Sequence, residues 1–470
     1  MFFDSSTYLV FLAITVLIYW RLRHGRQNLF LLAASYFFYG WWDWRFLGLM
    51  ALSTVLDYIV ANKIDASDNP RHRKLLLTAS LIFNFSILGF FKYFNFFADS
   101  FSKVAELFGL GGVPHTFWSI VLPPAISFYT FQEVAYICDV YKRKLPPCKS
   151  LTDYALFVSL FPHLIAGPIQ QPSHLLPQVQ EPRRWNPSTV FDGILLIAEG
   201  LFRKIVIADN CALIANAAFA GNFGPPSFAV TMIGVYAFAF QIYGDFSGYS
   251  SIARGSAQLM GFHFMVNFRQ PYLAQSLQDF WRRWHISLSS WLRDYLYISL
   301  GGNRKGTVRT YLNLLWTMLL GGLWHGANWT FVVWGFIHGA GLAVERFFVG
   351  GRNISDSRTF TGRWVRRIVI FHLVCVSWIF FRATSVSEAL EQFGGLTTWT
   401  WGPYLPSAAQ FLAVYAGAML LLDYFLERSK GEYLAAGRSP LARSAVAIGF
   451  AVLIALFGAS ESNAFIYFQF

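Results

Sequence analysis

Two histidines in apolar surroundings are the side chains best suited to acid–base or nucleophilic chemistry. His325 lies in the run Leu319–Thr330, where Gly321, Gly322 and Gly326 leave room for a backbone or a ligand to approach closely. An apolar setting favours the neutral imidazole, which can act as a base at pH 7. Ionisable residues within membrane-like segments are costly and usually functional, although a histidine bonded to a neighbouring helix would show the same pattern.

His285 is the second candidate, in the amphipathic run Asp279–Tyr295. At about 100° per residue, the Trp and Leu side chains of this run gather on one side, and most of its Arg, Ser and Asp side chains gather on the other. His285 falls on the Trp and Leu side, which predicts one continuous interfacial helix with the imidazole turned inward. A packed histidine with one hydrogen bond is the alternative interpretation.

Two further histidines are expected to lie outside this site. One helix continuing from His325 to His338 would separate them by roughly 20 Å of rise and about 220° of rotation, so His338 is predicted to be structural. His163 lies in Phe161–Pro168, where prolines break the helix. This histidine either packs in the interior or lines a pore.

A basic, glycine-rich loop at Gly301–Gly306 contains Arg304 and Lys305. Its backbone N–H groups and two cations could hold the phosphates of a nucleotide-tailed donor, and a positively charged cytoplasmic turn is the alternative. A zinc site is not expected, because the segment offers only histidines on separate elements. The sequence contains neither a Walker A motif nor a Gly-x-Ser-x-Gly elbow.

The composition indicates where these residues lie. The chain has 470 residues, of which 55% are apolar and 13% are charged, and its mean hydropathy is +0.42. This excludes a disordered protein and argues against a soluble globular enzyme, since too few charges are present to cover a surface in water. It predicts an all-α polytopic membrane protein that contacts the lipid bilayer through roughly ten to fifteen segments. The net charge of +12 is assigned to cytoplasmic loops and not to nucleic-acid binding.

The spacing of basic residues predicts the orientation. Clusters of Lys and Arg follow the first, third and fifth apolar runs, whereas the loop 207–226 contains neither residue. This alternation places the N-terminus outside and the basic loops in the cytoplasm. It also requires a re-entrant run within 154–206, and a segment 311–345 that spans twice or enters and leaves on the cytoplasmic side. Pro123 and Pro124 should interrupt the apolar run around them.

Several longer motifs occur in order along the chain, and together they resemble the membrane-bound O-acyltransferase family. Within it, the sequence is similar to the bacterial branch of alginate O-acetylases, peptidoglycan O-acetylating proteins and the D-alanyl-transfer proteins of teichoic acid modification. The motifs are Tyr36–Trp42, Ile126–Gln132, Phe161–Pro168, Asp245–Ser250, Trp281–Ser289, Arg293–Tyr295, Leu300–Arg304, Trp324–Gly326 and Phe465–Phe470. They extend over nearly the whole chain, as expected of one domain at 1–470 with its catalytic part at about 267–345.

The resemblance implies a fold and a set of residue roles. The fold is a ring of roughly 11–13 transmembrane or re-entrant helices around a central tunnel that passes near the histidines. The family's essential histidine falls on His325, and its supporting histidine falls on His285. The helpers that we expect are Trp324, Asn328 and Arg283 at the histidines, and Arg304 and Lys305 at the phosphates of the donor.

The activity that the resemblance implies is transfer of an acyl group, most simply acetyl, across the inner membrane for O-acetylation of an envelope or secreted polysaccharide. The donor is acetyl-CoA or a carrier-protein thioester in the cytoplasm, and no tightly bound cofactor or metal is expected. Because the polymer is too large for a membrane tunnel, a periplasmic SGNH-type O-acetyltransferase is expected to carry the acyl group onward. Alginate, peptidoglycan, cellulose and other polysaccharides are all open as acceptors.

Two other classes of function are compatible with the sequence. A transporter or flippase for lipid-linked sugars would use the histidines as a proton relay, but neither an inverted repeat nor an acidic pair at membrane depth is recognised. A non-catalytic scaffold for an export complex would tolerate conservative changes at His285 and His325. Labelled acetyl-CoA separates an enzyme from a transporter, since only the enzyme yields labelled protein or acceptor.

Overall fold

The chain folds into helices joined by loops in the part that the computed structural model describes. This part comprises residues 1–110, 120–165, 167–349, 359–459, 463, 465 and 466. It contains no β-strand and twenty α-helices, named α1 to α20 in chain order. Ala166 and residues 467–470, which belong to motifs named above, lie outside the described residues.

Contacts between residues divide the chain into two compact units. Unit 1 comprises Met1 and Val10–Trp185, and unit 2 comprises Phe2–Leu9 and Asn186–Phe470. Both histidines of the predicted site belong to unit 2.

Seven helical stretches within the described residues are long and apolar enough to cross a membrane. They are His24–Asp65, Pro70–Leu107, Phe228–Leu259, Trp329–Val349, Phe360–Arg382, Leu405–Ser429 and Pro440–Phe457. The prediction of an all-α polytopic membrane protein is confirmed. The ring of helices and its tunnel stay predictions.

The helices of unit 1 begin and end where local signals place them. They are α1 (Ser6–Tyr19, whose first residues belong to unit 2), α2 (His24–Asp43), α3 (Leu47–Asp65), α4 (Pro70–Leu88), α5 (Phe94–Leu107), α6 (Ile126–Tyr141), α7 (Leu151–Ser159), α8 (Phe161–Leu164) and α9 (Pro172–Gln180). Asn69 caps α4 by accepting a hydrogen bond from the backbone N–H of Arg71, and Pro70 occupies the first helical position. α6 begins directly after Pro123 and Pro124, as those prolines predict.

Unit 1 encloses two carboxylates, Asp57 on α3 and Glu133 on α6, neither of which is exposed. Hydroxyl and amide groups donate to both: Ser80 and Asn84 to Asp57, at 2.5 and 2.8 Å, and Ser53 and Thr54 to Glu133, at 3.1 and 3.0 Å. Ser53 and Thr54, which donate to Glu133, lie one turn before Asp57 on α3. Glu133 therefore approaches the face of α3 that carries Asp57. Asp57 also lies within the membrane-crossing stretch His24–Asp65.

Sequence reasoning did not recognise this buried acidic pair. Asp57 and Glu133 are distant in the sequence, and the packing of α3 against α6 brings them to one helix face. The pattern of hydropathy along the chain carries no information about such a contact.

The helices of unit 2 include the longest one in the described chain. They are α10 (Pro187–Leu201), α11 (Asp209–Phe219), α12 (Phe228–Leu259), α13 (Leu277–Arg283), α14 (Ile286–Trp291), α15 (Thr307–His325), α16 (Trp329–Val349), α17 (Phe360–Arg382), α18 (Val386–Gly395), α19 (Leu405–Ser429) and α20 (Pro440–Phe457). α10 and α12 approach closely at Gly200 and Gly248, where a Cβ on either residue would lie 2.7 Å from the other's carbonyl oxygen. This contact fixes the position of α12 beside the predicted site.

The catalytic segment departs from the single helix predicted for Asp279–Tyr295. α13 and α14 are separated at His285, whose backbone is left-handed with φ at +44°. The carbonyl oxygen of Asn267 accepts from the N–H of Ile286 at 2.9 Å, and its side-chain oxygen accepts from the N–H of Ser287 at 3.2 Å. The prediction of one continuous helix was wrong, because Asn267 satisfies the first N–H groups of α14 and so allows a break that hydropathy does not record.

The segment 311–345 folds into a helical hairpin in which α15 ends at His325 and α16 begins at Trp329. The two arms pack closely, since a Cβ on Gly322 would lie 2.2 Å from the carbonyl oxygen of Phe331. The assumption of one helix from His325 to His338 was therefore wrong, and the two residues lie on opposite arms.

Candidate active site

His285 and His325 meet inside unit 2. Their ring centroids are 6.3 Å apart, with an interplanar angle of 58°. His285 is not exposed at all, and His325 is 4% exposed. The fold thus brings together the two residues that the sequence singled out, from the break between α13 and α14 and from the last residue of α15.

Aromatic rings line the space around the pair. The centroids of Trp324, Trp334 and Phe381 lie 5.2, 5.2 and 5.3 Å from that of His325. Phe246 of α12 lies 4.5 Å from the His285 ring and nearly perpendicular to it. Side chains of this kind offer few polar groups to stabilise a positive charge, so the lining favours neutral imidazoles.

The two ring nitrogens of His285 differ in their surroundings. Nδ1 lies 3.2 Å from Oδ1 of Asn267. Nε2 is buried and has no hydrogen-bond partner among the described residues. Burial lowers the pKa of His285 to about 3, so the ring is neutral at pH 7 and its Nε2 is available to a reacting group.

Glycines near His325 allow α16 to approach it, as the sequence predicts. A Cβ on Gly326 would lie 2.1 Å from the ring of Phe331. Phe331 in turn lies 4.8 Å from Phe381, one of the rings that line His325. A side chain at position 326 would therefore push apart the packing that holds this imidazole.

A polar pocket lies beside Asn267. Its lining includes Arg203, Arg254 and Ser250. Both arginines are buried, and Nε of Arg254 has no hydrogen-bond partner in the described chain. Nδ2 of Asn267 donates to Oγ of Ser250 at 3.1 Å, so one amide both lines this pocket and contacts His285. Both guanidinium groups are paired with carboxylates, Arg203 with Glu199 at 2.8 Å and Arg254 with Glu432, which also lines the pocket.

Trp324 and Asn328, two of the predicted helpers, make different kinds of contact. The Trp324 ring lies 6.0 Å from His285 and 5.2 Å from His325, so it contacts both histidines. Asn328 instead donates to the carbonyl oxygen of Thr384 at 2.8 Å and accepts from the N–H of Thr330 at 3.0 Å. Its amide thus holds the start of α16.

The three predicted cationic helpers are Arg283, Arg304 and Lys305. Arg283 pairs with Asp279 and with Glu427, each at 2.8 Å, and so joins α13 to α19. Arg304 and Lys305 are exposed in the loop before α15. Their predicted contact with donor phosphates stays a prediction.

The other two histidines have hydrogen-bond partners within the protein. Nε2 of His338 lies 3.0 Å from Oγ of Ser377, as a structural role predicts, and its ring lies 4.8 Å from Trp334. The same indole lies 5.2 Å from the His325 ring, so it contacts both His338 and His325. Nε2 of His163 lies 3.1 Å from the carbonyl oxygen of Phe157, which supports the packing interpretation over a pore-lining one.

Sequence reasoning missed Asn267 and Phe381. Asn267 is the one polar residue of the run Phe264–Phe268, and a lone amide among apolar residues is a weak signal of a buried contact. Phe381 gives no signal at all, since its role depends on the packing of α17. Among the described residues, no three His, Cys, Asp or Glu side chains gather as ligands for a metal ion.

The comparisons with known proteins agree on one family. Residues 141–386, which contain both histidines, match the model of the membrane-bound O-acyltransferase family, MBOAT. The chain is 44% identical over 400 residues to the probable alginate O-acetylase AlgI of Pseudomonas putida, covering 84% of this chain and 80% of that protein. It is 37% identical over 396 residues to the peptidoglycan O-acetyltransferase of Helicobacter pylori, covering 78% and 73%.

A more distant relative is named for the transfer of a different acyl group, D-alanyl. The chain is 26% identical over 290 residues to the teichoic acid D-alanyltransferase of Streptococcus thermophilus, covering 54% of this chain and 67% of that protein. The family match and the membrane-crossing helices together establish that this chain belongs to the MBOAT family and is a multi-pass, membrane-bound O-acyltransferase.

Proposed function

We propose that the chain transfers an acetyl group from a cytoplasmic thioester across the inner membrane for O-acetylation of an envelope or secreted polysaccharide. The names of its relatives support acetyl transfer to a polysaccharide, since alginate and peptidoglycan are the acceptors that those names give. The single observation that carries the proposal is the meeting of His285 and His325 in a buried, aromatic-lined space.

The chemistry needs one group that accepts a proton beside the thioester carbonyl. In one route, His325 takes the proton of the attacking hydroxyl, the hydroxyl oxygen bonds to the acyl carbon, and the carbon–sulfur bond breaks. The proton then passes from His325 to the thiolate. In the other route, a nitrogen of His325 bonds to the acyl carbon, the carbon–sulfur bond breaks, and the leaving thiolate takes the ring proton. The hydroxyl oxygen then bonds to the acyl carbon, the carbon–nitrogen bond breaks, and the hydroxyl proton returns to His325. In both routes, His285 either orients His325 or stabilises the oxyanion.

The donor enters from the cytoplasm, and acetyl-CoA and a carrier-protein thioester share the phosphate that the protein would recognise. The pocket that contains Arg203 and Arg254 supports this role, because its lining includes Asn267, whose Oδ1 lies 3.2 Å from Nδ1 of His285. Arg304 and Lys305 supply a second, exposed cationic place for the phosphates of the same donor. No tightly bound cofactor takes part in this proposal.

The acyl group leaves on the external side of the inner membrane, where the N-terminus also lies. A polysaccharide chain is too large to reach a buried imidazole. A periplasmic O-acetyltransferase of the SGNH type therefore receives the acyl group on its own serine and passes it to the polymer.

A transporter or flippase is the second candidate, and one observation favours it. Asp57 and Glu133 form the buried acidic pair that proton-coupled transport requires. These carboxylates belong to unit 1 and the histidines to unit 2, so substitutions can test the two functions separately.

The proposal is tested in cells by measuring acetate released from the purified envelope polymer. His325→Ala should abolish acetylation while the protein reaches the membrane at the normal level. His338→Gln is the matched control, since it changes another buried histidine beside the same indole and should keep at least half of the acetylation. Normal acetylation with His325→Ala would remove His325 from the catalytic role.

A further inference from the structure

Asn267 contacts His285 in a way that assigns the position of the ring proton. Oδ1 of Asn267 lies 3.2 Å from the N–H of Ser287, 2.9 Å from the hydroxyl of Ser287 and 3.2 Å from Nδ1 of His285. Asn267 is 1% exposed, so these contacts replace water for the amide. One oxygen thus receives three groups that can donate to it.

The backbone N–H of Ser287 settles which end of the amide faces His285. The two ends of an asparagine amide look alike in outline, so the hydrogen-bond partners must decide its orientation. A backbone N–H can only donate, so the atom that it meets must be the amide oxygen. Nδ2 then points to Oγ of Ser250 at 3.1 Å, where the hydroxyl can accept. Both ends of the amide are satisfied in this orientation and in no other.

The orientation of the amide fixes the tautomer of His285. An amide oxygen accepts hydrogen bonds, so Nδ1 of His285 must carry the proton that it shares with Asn267. In a neutral imidazole the other nitrogen then carries a lone pair and no proton. Nε2 of His285 is therefore a hydrogen-bond acceptor, and it is the nitrogen that has no partner among the described residues.

An acceptor at Nε2 decides between the two roles open to His285. A nitrogen without a proton cannot donate a hydrogen bond to an oxyanion, so the oxyanion role is closed to the neutral ring. It can accept one from the N–H of His325. A direct bond between the rings needs centroids about 5.2 Å apart, for a nitrogen–nitrogen distance of about 2.9 Å. The observed 6.3 Å is longer by an amount that closure around a substrate can remove.

We propose that Asn267 is a positioning residue that holds His285 in the Nδ1–H tautomer, so that Nε2 of His285 accepts from the N–H of His325 and orients it. The second nitrogen of His325 then serves the reaction proposed above. The arrangement parallels other active sites in which a third group orients the base. The inference rests on the proposed role of His325.

The test uses the full-length protein in lipid nanodiscs, with release of free thiol from acetyl-CoA as the readout. Asn267→Ala should lower kcat by about 10- to 100-fold and change KM for the donor by less than about twofold. Asn210→Ala is the matched control. That asparagine is also buried in unit 2 and donates to the carbonyl oxygen of Phe457 at 3.0 Å. An equal loss in both variants would overturn the positioning role.

The variant Asn267→Asp tests the positioning role through the pH–rate profile, which would not change if Asn267 had only a structural role. The carboxylate still accepts from Nδ1, so activity should stay within about fivefold of the wild type at pH 8. Its charge raises the pKa of His285, so the acid limb of the pH–rate profile should move to higher pH by about one unit or more. An unchanged acid limb in Asn267→Asp would contradict the inference.

Nitrogen NMR of labelled histidine reads the tautomer directly. We expect the His285 signals, assigned by their loss in His285→Gln, to show a protonated Nδ1 and an unprotonated Nε2 at pH 7. The opposite tautomer would overturn the inference. The outcomes are separable from the proposed function, because activity in His325→Ala would sink both, whereas a wrong tautomer with inactive His325→Ala would sink only the role of Asn267.

Discussion

Each of the two units encloses a pair of ionisable side chains, and the pairs differ in what surrounds them. In unit 1, Asp57 and Glu133 receive hydrogen bonds from hydroxyl and amide groups. In unit 2, His285 and His325 lie among aromatic rings. Each pair still leaves one acceptor atom without a partner among the described residues, Oε2 of Glu133 and Nε2 of His285.

The difference shows that burial of an ionisable group does not by itself identify the chemistry. Donors around a carboxylate stabilise negative charge, which suits a side chain that packs in a polar network. Aromatic surroundings keep an imidazole neutral, which suits a base or a nucleophile beside a carbonyl. Acyl transfer should therefore depend on unit 2's pair and not on unit 1's pair.

Among the variants that test this comparison, the largest loss of activity is expected for a change at His285. His285→Ala should lower thiol release from acetyl-CoA by about 100- to 1,000-fold, because it removes both the orienting acceptor and part of the lining around His325. The lost ring leaves a cavity, which should lower the free energy of unfolding by about 2 kcal/mol or less. Activity within about threefold of the wild type would place His285 outside the reaction.

The next effect is expected at the glycine that follows His325. Gly326→Ala would place a Cβ 2.1 Å from the ring of Phe331, so the end of α15 must move. A displacement of about 1 Å at a reacting group can cost about 100-fold, and we expect kcat to fall by at least about tenfold. Gly417→Ala on α19 is the matched control, because nothing lies within 4 Å of the Cβ that it adds. Equal activity of the two variants would show that the approach of α16 does not position His325.

The acidic pair of unit 1 should respond differently. Glu133→Gln and Asp57→Asn keep the shape of each side chain, and we expect acetylation to stay within about threefold of the wild type. The melting temperature should change by only a few degrees, because most of the hydrogen bonds around each carboxylate can be remade by the amide. Loss of acetylation in these variants, at a normal protein level, would break the comparison and favour coupling to proton transport.

The smallest effect is expected at the exposed loop before α15. The double variant Arg304→Ala, Lys305→Ala should raise KM for acetyl-CoA by about threefold and leave kcat unchanged, because exposed charges contribute little to binding. The effect should shrink further at high salt, where such contacts are screened. An unchanged KM at low salt would show that the donor's phosphates do not contact this loop.

The sequence predicted the fold class and the two histidines, and it did so through different signals. Long apolar runs predicted the membrane helices because lipid contact demands apolar side chains over whole turns. His325 was recognisable because ionisable groups are rare in such runs, and His285 because it falls on the Trp and Leu side of an amphipathic run. The break at His285 was not predictable, since it depends on hydrogen bonds that Asn267 accepts from the first N–H groups of α14, and no sequence pattern relates Asn267 to that helix.

The same limit explains the acidic pair and the helical hairpin. Asp57 and Glu133 each look like an isolated polar residue in the sequence, and their neighbourhood arises from the packing of α3 against α6. The charge pattern predicted that the segment 311–345 turns back, but the position of the turn at Gly326 was hidden because the apolar pattern continues through it. Local patterns therefore identified the residues, whereas tertiary contacts determined which of them meet.

The most direct test of the acyl-transfer account is a single-turnover measurement with labelled acetyl-CoA and the purified protein in nanodiscs. The wild type, Glu133→Gln and His338→Gln should each release free CoA and transfer the labelled acetyl group to protein or to an added acceptor. His325→Ala should do neither, at an unchanged melting temperature. Turnover by His325→Ala at the wild-type rate, or no turnover by the wild type, would contradict the account.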